Sequence, residues 1–278
     1  MRLSGAWRFF CMYRLLLVSD RPKVLDTFER FDRYERLGFK PPHIRNDYDG
    51  MLDSFQKHHA DGIAFALPPE EEKKVLQFLK AQYPILPIFE ACMDADELCR
   101  SLNELGNLLM RMHGDYSNDK IGRLDMLMYC RHEFFRKLIA GGVANPEILR
   151  RSLRLLRSQM RSDQPCVLVS LSEVEDSGSA DTCWDFERDE LERLLRKCFG
   201  RELNGMRVLP LVPQERMISM LVCPMEGVED VLPADAMTKL VKEHVAKVIE
   251  SLYEYEHLKL RADKTETFPN LAALCSRK

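Results

Sequence analysis

Asp20 and Asp61 each stand at the end of an apolar run, "YRLLLVS" and "DGIAFAL", where a carboxylate can meet a cation or a titrating partner. A hard cation takes more than one carboxylate, so the expected roles are plainer: Asp20 caps the helix that follows it, and Asp61 begins a strand. His58 and His59 are adjacent in sequence and point to different faces, which argues against a shared metal. They close a predicted helix, where an imidazole meets the negative end of the helix dipole. Arg150, Arg154, Arg157 and Arg161 fall on one helical face of "RRSLRLLRSQMR", with Arg151 beside them. Such a face can contact nucleic acid or an acidic partner. The plainer expectation is a solvated face opposite Ile148, Leu149, Leu153, Leu156 and Met160, paired with acids in "SEVED" or "DFERDELE"; no aromatic platform accompanies it. Cys92, Cys99 and Cys130 have no histidine at useful spacing and are expected to act as small apolar fillers.

The elements that must position these groups alternate in the first third of the chain. "YRLLLVS" is a strand, and "PKVLDTFERFDRYERLGF" a helix with Val24, Leu25, Phe28, Phe31 and Leu37 at helical spacing. "HIRND" is a short strand and "YDGMLDSFQKHHA" a helix. "DGIAFAL" is a buried strand, "PEEEKKVLQFLKAQYP" a helix with acids in its first turn, and "ILPIFEA" a fourth strand. This βαβαβαβ order implies a parallel sheet with helices on both faces. The middle is helical: "DADELCRSLNELGNLLMRMH", then "NDKIGRLDMLMYCRHEFFRKLIAGG", then "NPEILRRSLRLLRSQMRSD", the last with Asn145 as N-cap and Pro146 at the first helical position. The final part reads strand ("CVLVSLSEV"), polar loop ("SGSADT"), amphipathic helix ("DFERDELERLLRKCFGREL"), two strands joined near Pro213, Gln214 and Glu215, a long helix and a last strand ("LKLRADK"). That order implies a mixed sheet with helices packed on it.

The length of 278 residues suggests about two domains, and a hydrophobic fraction of 45% supplies ordinary cores. A formal net charge of −3 gives no strong pull toward nucleic acid or an anionic membrane. Nine cysteines without a CxxC pair point to reduced thiols in a cytosol. Apolar runs fall far short of the ~20 residues that span a bilayer, so no membrane association is expected. "MRLSGAWRFFCM" lacks an apolar core and a cleavage site, so no signal peptide is expected; Met12 stands directly before the first strand, which makes the first eleven residues either an extension or a matter of start-site choice.

With these elements in place, residues 12–115 resemble the receiver domain of bacterial response regulators. The resemblance implies a flavodoxin-like parallel sheet in which the first strand ends in paired acids that help hold magnesium; "LLLVSDRP" supplies Ser19 and Asp20. It implies a phosphoacceptor aspartate at the end of the third strand, where "DGIAFALPP" supplies Ala66; a methyl group neither attacks a phosphoryl donor nor ligates a hard cation. A Thr or Ser is implied after the fourth strand, where Ala91 and Cys92 stand. Lys-Pro is implied after a fifth, where "LGNLLMRMHGD" offers His113 and Gly114 in a segment that reads equally well as helix. The rest of the chain resembles AraC-type response regulators of the multidomain kind: a helical linker over 116–162 and a degenerate cyclase-like module of GGDEF type over 163–278, an α+β mixed sheet. Cyclase chemistry needs carboxylate-held metals and a Gly-Gly turn. Ser170 and Ser172 occupy the metal-acid positions, and Glu215 alone remains at the hairpin.

The implied protein is a non-enzymatic, cytoplasmic transcription regulator with no cofactor and no metal, a pseudo-receiver coupled to a pseudo-cyclase. A small-molecule-sensing module and an enzyme that has reused the scaffold are the alternatives. The chain stops at "FPNLAALCSRK", about where a helix-turn-helix domain would begin, so a protein partner or separate DNA-binding domain is expected rather than nucleic-acid contact by this chain. Leu102, Leu105, Leu109 and Met112 form one apolar row, and Ile121, Leu124, Leu127, Met128, Phe134 and Phe135 a wider one. Such an excess predicts a homodimer with contacts at Leu124, Leu127, Met128 and Phe135.

Overall fold

A computed structural model describes residues 12–113, 122–174, 184 and 186–276. Gly114, Ile121 and the loop "SGSADT" lie outside the described residues, as does the segment before Met12. The chain divides into two compact units. The first runs to Cys130 and includes Arg151–Ser158; the second comprises Arg131–Arg150 and the chain from Gln159 onward.

In the first unit the strands are β1 (Leu15–Ser19), β2 (His43–Arg45), β3 (Gly62–Ala66) and β4 (Ile88–Glu90), all parallel, in the order β2-β1-β3-β4. β1 and β3 are buried along their whole length, which is why they read as unbroken apolar runs. The helices are α1 (Pro22–Arg30), α2 (Tyr48–Lys57), α3 (Pro69–Gln82) and α4 (Ala95–His113). Leu16, Val18, Ile63 and Phe65 pack with Met51 of α2 and with Val75 and Leu79 of α3. The opposite face meets α4: a Cβ on Gly62 would lie 2.9 Å from the Leu105 side chain, so the close approach of α4 requires glycine there.

Two local departures from the sequence reading have visible causes. α1 stops at Arg30 instead of running to Gly38, because the Phe28 carbonyl accepts the buried Tyr34 hydroxyl at 2.9 Å and the chain turns extended at Phe31. A single 3-10 turn, Glu35–Leu37, follows and is closed by Gly38 at φ 82°. The segment that read as strand or helix, up to His113, is helix α4, and no strand follows β4 among the described residues of this unit.

α5 (Arg123–Ile139) and α6 (Pro146–Leu155) each contribute to both units. α6 ends earlier than its apolar pattern suggests. Arg157 turns left-handed at φ 54°, the Ser158 N–H bonds back to the Leu153 carbonyl at 3.0 Å, and Met160 already bridges Met225.

The second unit continues with β5 (Cys166–Glu173), α7 (Arg188–Phe199), β6 (Glu202–Leu203), β7 (Met206–Gln214), β8 (Met217–Pro224), α8 (Ala234–Glu256) and β9 (Leu260–Phe268). The sheet order is β6-β7-β8-β5-β9, and every neighbouring pair is antiparallel, not mixed as expected. The connectivity explains this. The crossover through α7 leaves a slot between β5 and β7, and β8 fills it by returning from β7 through the Glu215–Arg216 turn. The crossover through α8 then carries the chain from β8 past β5, placing β9 on the far side of β5. Val167, Val169 and Leu171 of β5 and Ile218, Met220 and Val222 of β8 pack with Leu191 and Leu195 of α7 and Met237, Val241 and Val245 of α8. No described helix is long and apolar enough to cross a membrane.

Candidate functional site

In an open parallel sheet, ligands gather outside the carboxyl ends of the strands where the strand order reverses. Here that point lies between β1 and β3, and Ser19 pairs with Ala66 across it. The polar groups there are turned onto the backbone. Ser19 is fully buried; its hydroxyl donates to the Ala66 carbonyl at 2.9 Å and accepts the Arg21 N–H at 3.2 Å. The Arg21 guanidinium donates to the Leu67 carbonyl at 3.3 Å. Asp20 is exposed and does not cap α1, whose N-cap is Arg21 without a side-chain bond. Ala91 is buried, and its N–H donates to the Phe65 carbonyl at 3.0 Å. Beside it the Cys92 thiol is pushed up to about 11 by burial, with Glu97 adding to the shift. Thr27 Oγ1 donates to the Met93 carbonyl at 3.1 Å, and Asp94 is spent as the N-cap of α4, accepting the Glu97 N–H at 2.8 Å.

Asp61 and His113 lie at the other end of this sheet. Asp61 precedes β3, whose other end is Ala66, and accepts the Arg14 N–H at 2.8 Å and the His59 ring at 3.0 Å. Five strand steps of ~3.3 Å keep it away from Ala66. His113 ends α4, with its ring 5.7 Å from that of Tyr13; burial lowers its pKa, and Arg123 adds to the shift. It therefore does not stand beside Ala66 and Ala91 as the fifth-strand alignment required. His58 is the C-cap of α2 and stacks on His43 with ring centroids 4.8 Å apart. Burial lowers the His43 pKa, followed by the charges of His58, Arg45 and Arg14.

The arginine row is intramolecular in a way the sequence did not suggest. Arg151 pairs with Glu104, Arg154 with Glu72 at 2.7 Å and Glu90 at 3.5 Å, and Arg161 with Asp163 at 3.0 Å. None of these acids belongs to "SEVED" or "DFERDELE". Arg157 donates to the carbonyls of Leu86 at 3.0 Å and Tyr83 at 3.4 Å, complementing the carboxyl end of α3. Because α6 ends at Leu155, Arg157 and Arg161 do not share its helical face; Arg150 is the exposed member.

In the second unit Ser170 faces Ser219 across β5 and β8. Ser219 is fully buried, and its hydroxyl finds no partner among the described residues. Ser172 accepts the Arg261 Nε–H at 3.1 Å, and Glu215 is exposed in the two-residue turn. A buried group of ionisable side chains lies elsewhere in this unit. Glu192, on the apolar stripe of α7, is 1% exposed; it accepts the Val212 N–H at 2.8 Å, His132 Nδ1–H at 3.1 Å and the Arg136 Nη2–H at 3.3 Å. Arg136 also reaches Asp189 at 3.0 Å. Val212 lies within the irregular step of the β7–β8 ladder, between Leu211 and Gln214, so a side chain satisfies its N–H. The signal for this network was Glu192 sitting inside the stripe of Leu191, Leu195 and Phe199, with His132 and Arg136 one turn apart on α5.

Of the four residues read as dimer contacts, Leu127 and Phe135 are fully buried within the chain, Met128 is half-buried and Leu124 is exposed. Among the described residues, no three His, Cys, Asp or Glu side chains are grouped to hold a metal ion. Neither a protein-family model nor a curated protein matches the chain.

Proposed function

We propose that this chain is a non-enzymatic, cytoplasmic signal-transduction protein similar to AraC-type response regulators: a receiver-like module that takes no phosphoryl group, joined by helices to a cyclase-like module without turnover. The observation that carries the reading is the hydrogen bond from Ser19 to the Ala66 carbonyl. Phosphoryl transfer at this edge needs a carboxylate nucleophile and a cation held by oxygens. The edge offers a methyl group, a hydroxyl committed to the backbone and a guanidinium over the next carbonyl. Two features of the fold support the kinship. The order β2-β1-β3-β4, with helices on both faces, agrees with that of the first four strands of a flavodoxin-like sheet. The order β7-β8-β5-β9, with α7 and α8 on one face, is that of the split βαβ sheets to which cyclase-like modules belong.

Offering both chemistries tests the reading. The intact chain should keep its mass after incubation with acetyl phosphate and Mg2+, and leave GTP unchanged with Mg2+. A stable phosphoryl adduct or a cyclic nucleotide product would refute it. Such regulators act as pairs, and the apolar side chains of α5 left at the surface, Leu124 and Tyr129, are where a twofold contact would form, with Met128 at its margin. Light scattering should then show a dimer that Leu124→Glu dissociates; a chain that stays monomeric at high concentration would remove the pairing from the account.

A further inference from the structure

Cys166 is the first residue of β5, and Cys223 is the last but one of β8. The β5–β8 ladder pairs Val167 with Val222, so one further step places Cys166 opposite Cys223. Directly opposed residues in an antiparallel pair point to the same face, with Cα atoms ~4.5–5.5 Å apart. That lies inside the ~4.4–6.8 Å window of a disulfide. Both thiols are free and fully buried. Burial pushes Cys166 up to about 12; it pushes Cys223 up as well, and a charged Cys166 beside Cys223 opposes a second thiolate. The pair is therefore stable as thiols until its end of the ladder opens. Pro165 precedes Cys166 and Pro224 follows Cys223, so neither flanking position has an N–H to donate.

We propose that Cys166 and Cys223 are a cross-strand dithiol that closes to a disulfide under a two-electron oxidant such as a hydroperoxide. Two S–H bonds break, one S–S bond forms, and the two hydrogens and two electrons reduce the hydroperoxide to an alcohol and water. The reduced pair is also tied to the backbone: the Cys223 thiol donates to the Arg161 carbonyl at 3.1 Å. Oxidation removes that hydrogen. The segment that leads into β5 loses that tie while keeping its backbone bonds, among them Arg161 N–H to the Pro224 carbonyl and Glu226 N–H to the Gln159 carbonyl, both at 2.9 Å. The redox state of the pair is thus read by residues 159–161. This inference stands on the sheet register and is independent of the functional reading above.

The test oxidises the full chain with diamide, which takes up the same two hydrogens at its N=N bond, then alkylates all remaining thiols in denaturant and maps the peptides by mass. The expected product links the Cys166 and Cys223 peptides. It is lost in both Cys166→Ala and Cys223→Ala, and hydrogen exchange at 159–161 is faster in the oxidised chain than in the reduced one. Recovery of Cys166 and Cys223 as alkylated thiols while other cysteines oxidise, or a dominant link from either to a different cysteine, would overturn the proposal. The map of the unsubstituted chain decides even where a variant fails to fold.

Discussion

The two sheets handle polarity in opposite ways. At the carboxyl edge of the parallel sheet the buried polar group is a neutral hydroxyl, and its two hydrogen bonds both go to the backbone. Behind the antiparallel sheet ionisable side chains are buried, with Glu192, His132 and Arg136 all less than a tenth exposed. A hydroxyl bonded to a carbonyl costs little to bury, and its single proton is spent. A buried carboxylate is tolerable only when every oxygen is satisfied, and Glu192 meets that condition with one backbone amide and two side chains. The difference teaches that buried ionisable groups tie α5, α7 and β7 together in one unit, while at the carboxyl edge of the parallel sheet the buried hydroxyl is committed to the backbone.

The sharpest way to break this comparison is to remove Glu192. Glu192→Ala strands the buried Val212 N–H, takes the shared carboxylate from His132 and leaves Arg136 with Asp189, and chemical denaturation should report a loss of about 3–5 kcal/mol. An effect below 1 kcal/mol would show that the network is not holding the helices. Ser19→Ala should be milder, about 1–2 kcal/mol, because it leaves a neutral carbonyl and one amide unpaired. Equal losses at the two sites would erase the contrast between them.

Much of this architecture was legible in the sequence. The unbroken apolar runs "LLLVS" and "GIAFA" identified β1 and β3, and the alternation of strands and helices fixed the parallel order. What escaped depends on partners distant in sequence. Nothing local in "DRYERLGF" reveals that the Tyr34 hydroxyl takes the Phe28 carbonyl and ends α1. Periodicity carried α6 past the left-handed Arg157. Strand β6 was readable and was missed: Asn204-Gly205, both at positive φ, is a strong hairpin signal, and it joins β6 to β7. At the candidate site the missing carboxylate at Ala66 was plain from residue type. The direction of the Ser19 hydroxyl was not, because it rests on the 47-residue separation between Ser19 and Ala66. His113 was placed near that edge by alignment alone, and as the last residue of helix α4 it lies at the opposite end, where Asp61 precedes β3 as its place in the sequence indicates.

That opposite, amino-terminal edge supplies the smallest expected effect. His43 and His113 both titrate below 6.5 in the folded chain. The unfolded chain takes up these protons first as pH falls, so stability rises with pH and is lost as pH drops through 6.5. His43 is largely exposed, and the loss should be modest. Denaturation midpoints at about pH 7.5 and about pH 5.5 should differ less in His43→Gln than in the unsubstituted chain. A steeper dependence in the variant would reverse the sign assigned here.

The central claim is that the carboxyl edge of the parallel sheet binds no hard cation. Its most direct test is a Mn2+ titration followed by the amide resonances of residues 19–21, 66–67 and 91–93, since a paramagnetic ion broadens signals around its site. The account predicts no selective broadening at these amides as Mn2+ is raised in place of Mg2+. Selective broadening centred on Ser19 and Ala66, reversed by excess Mg2+, would contradict it.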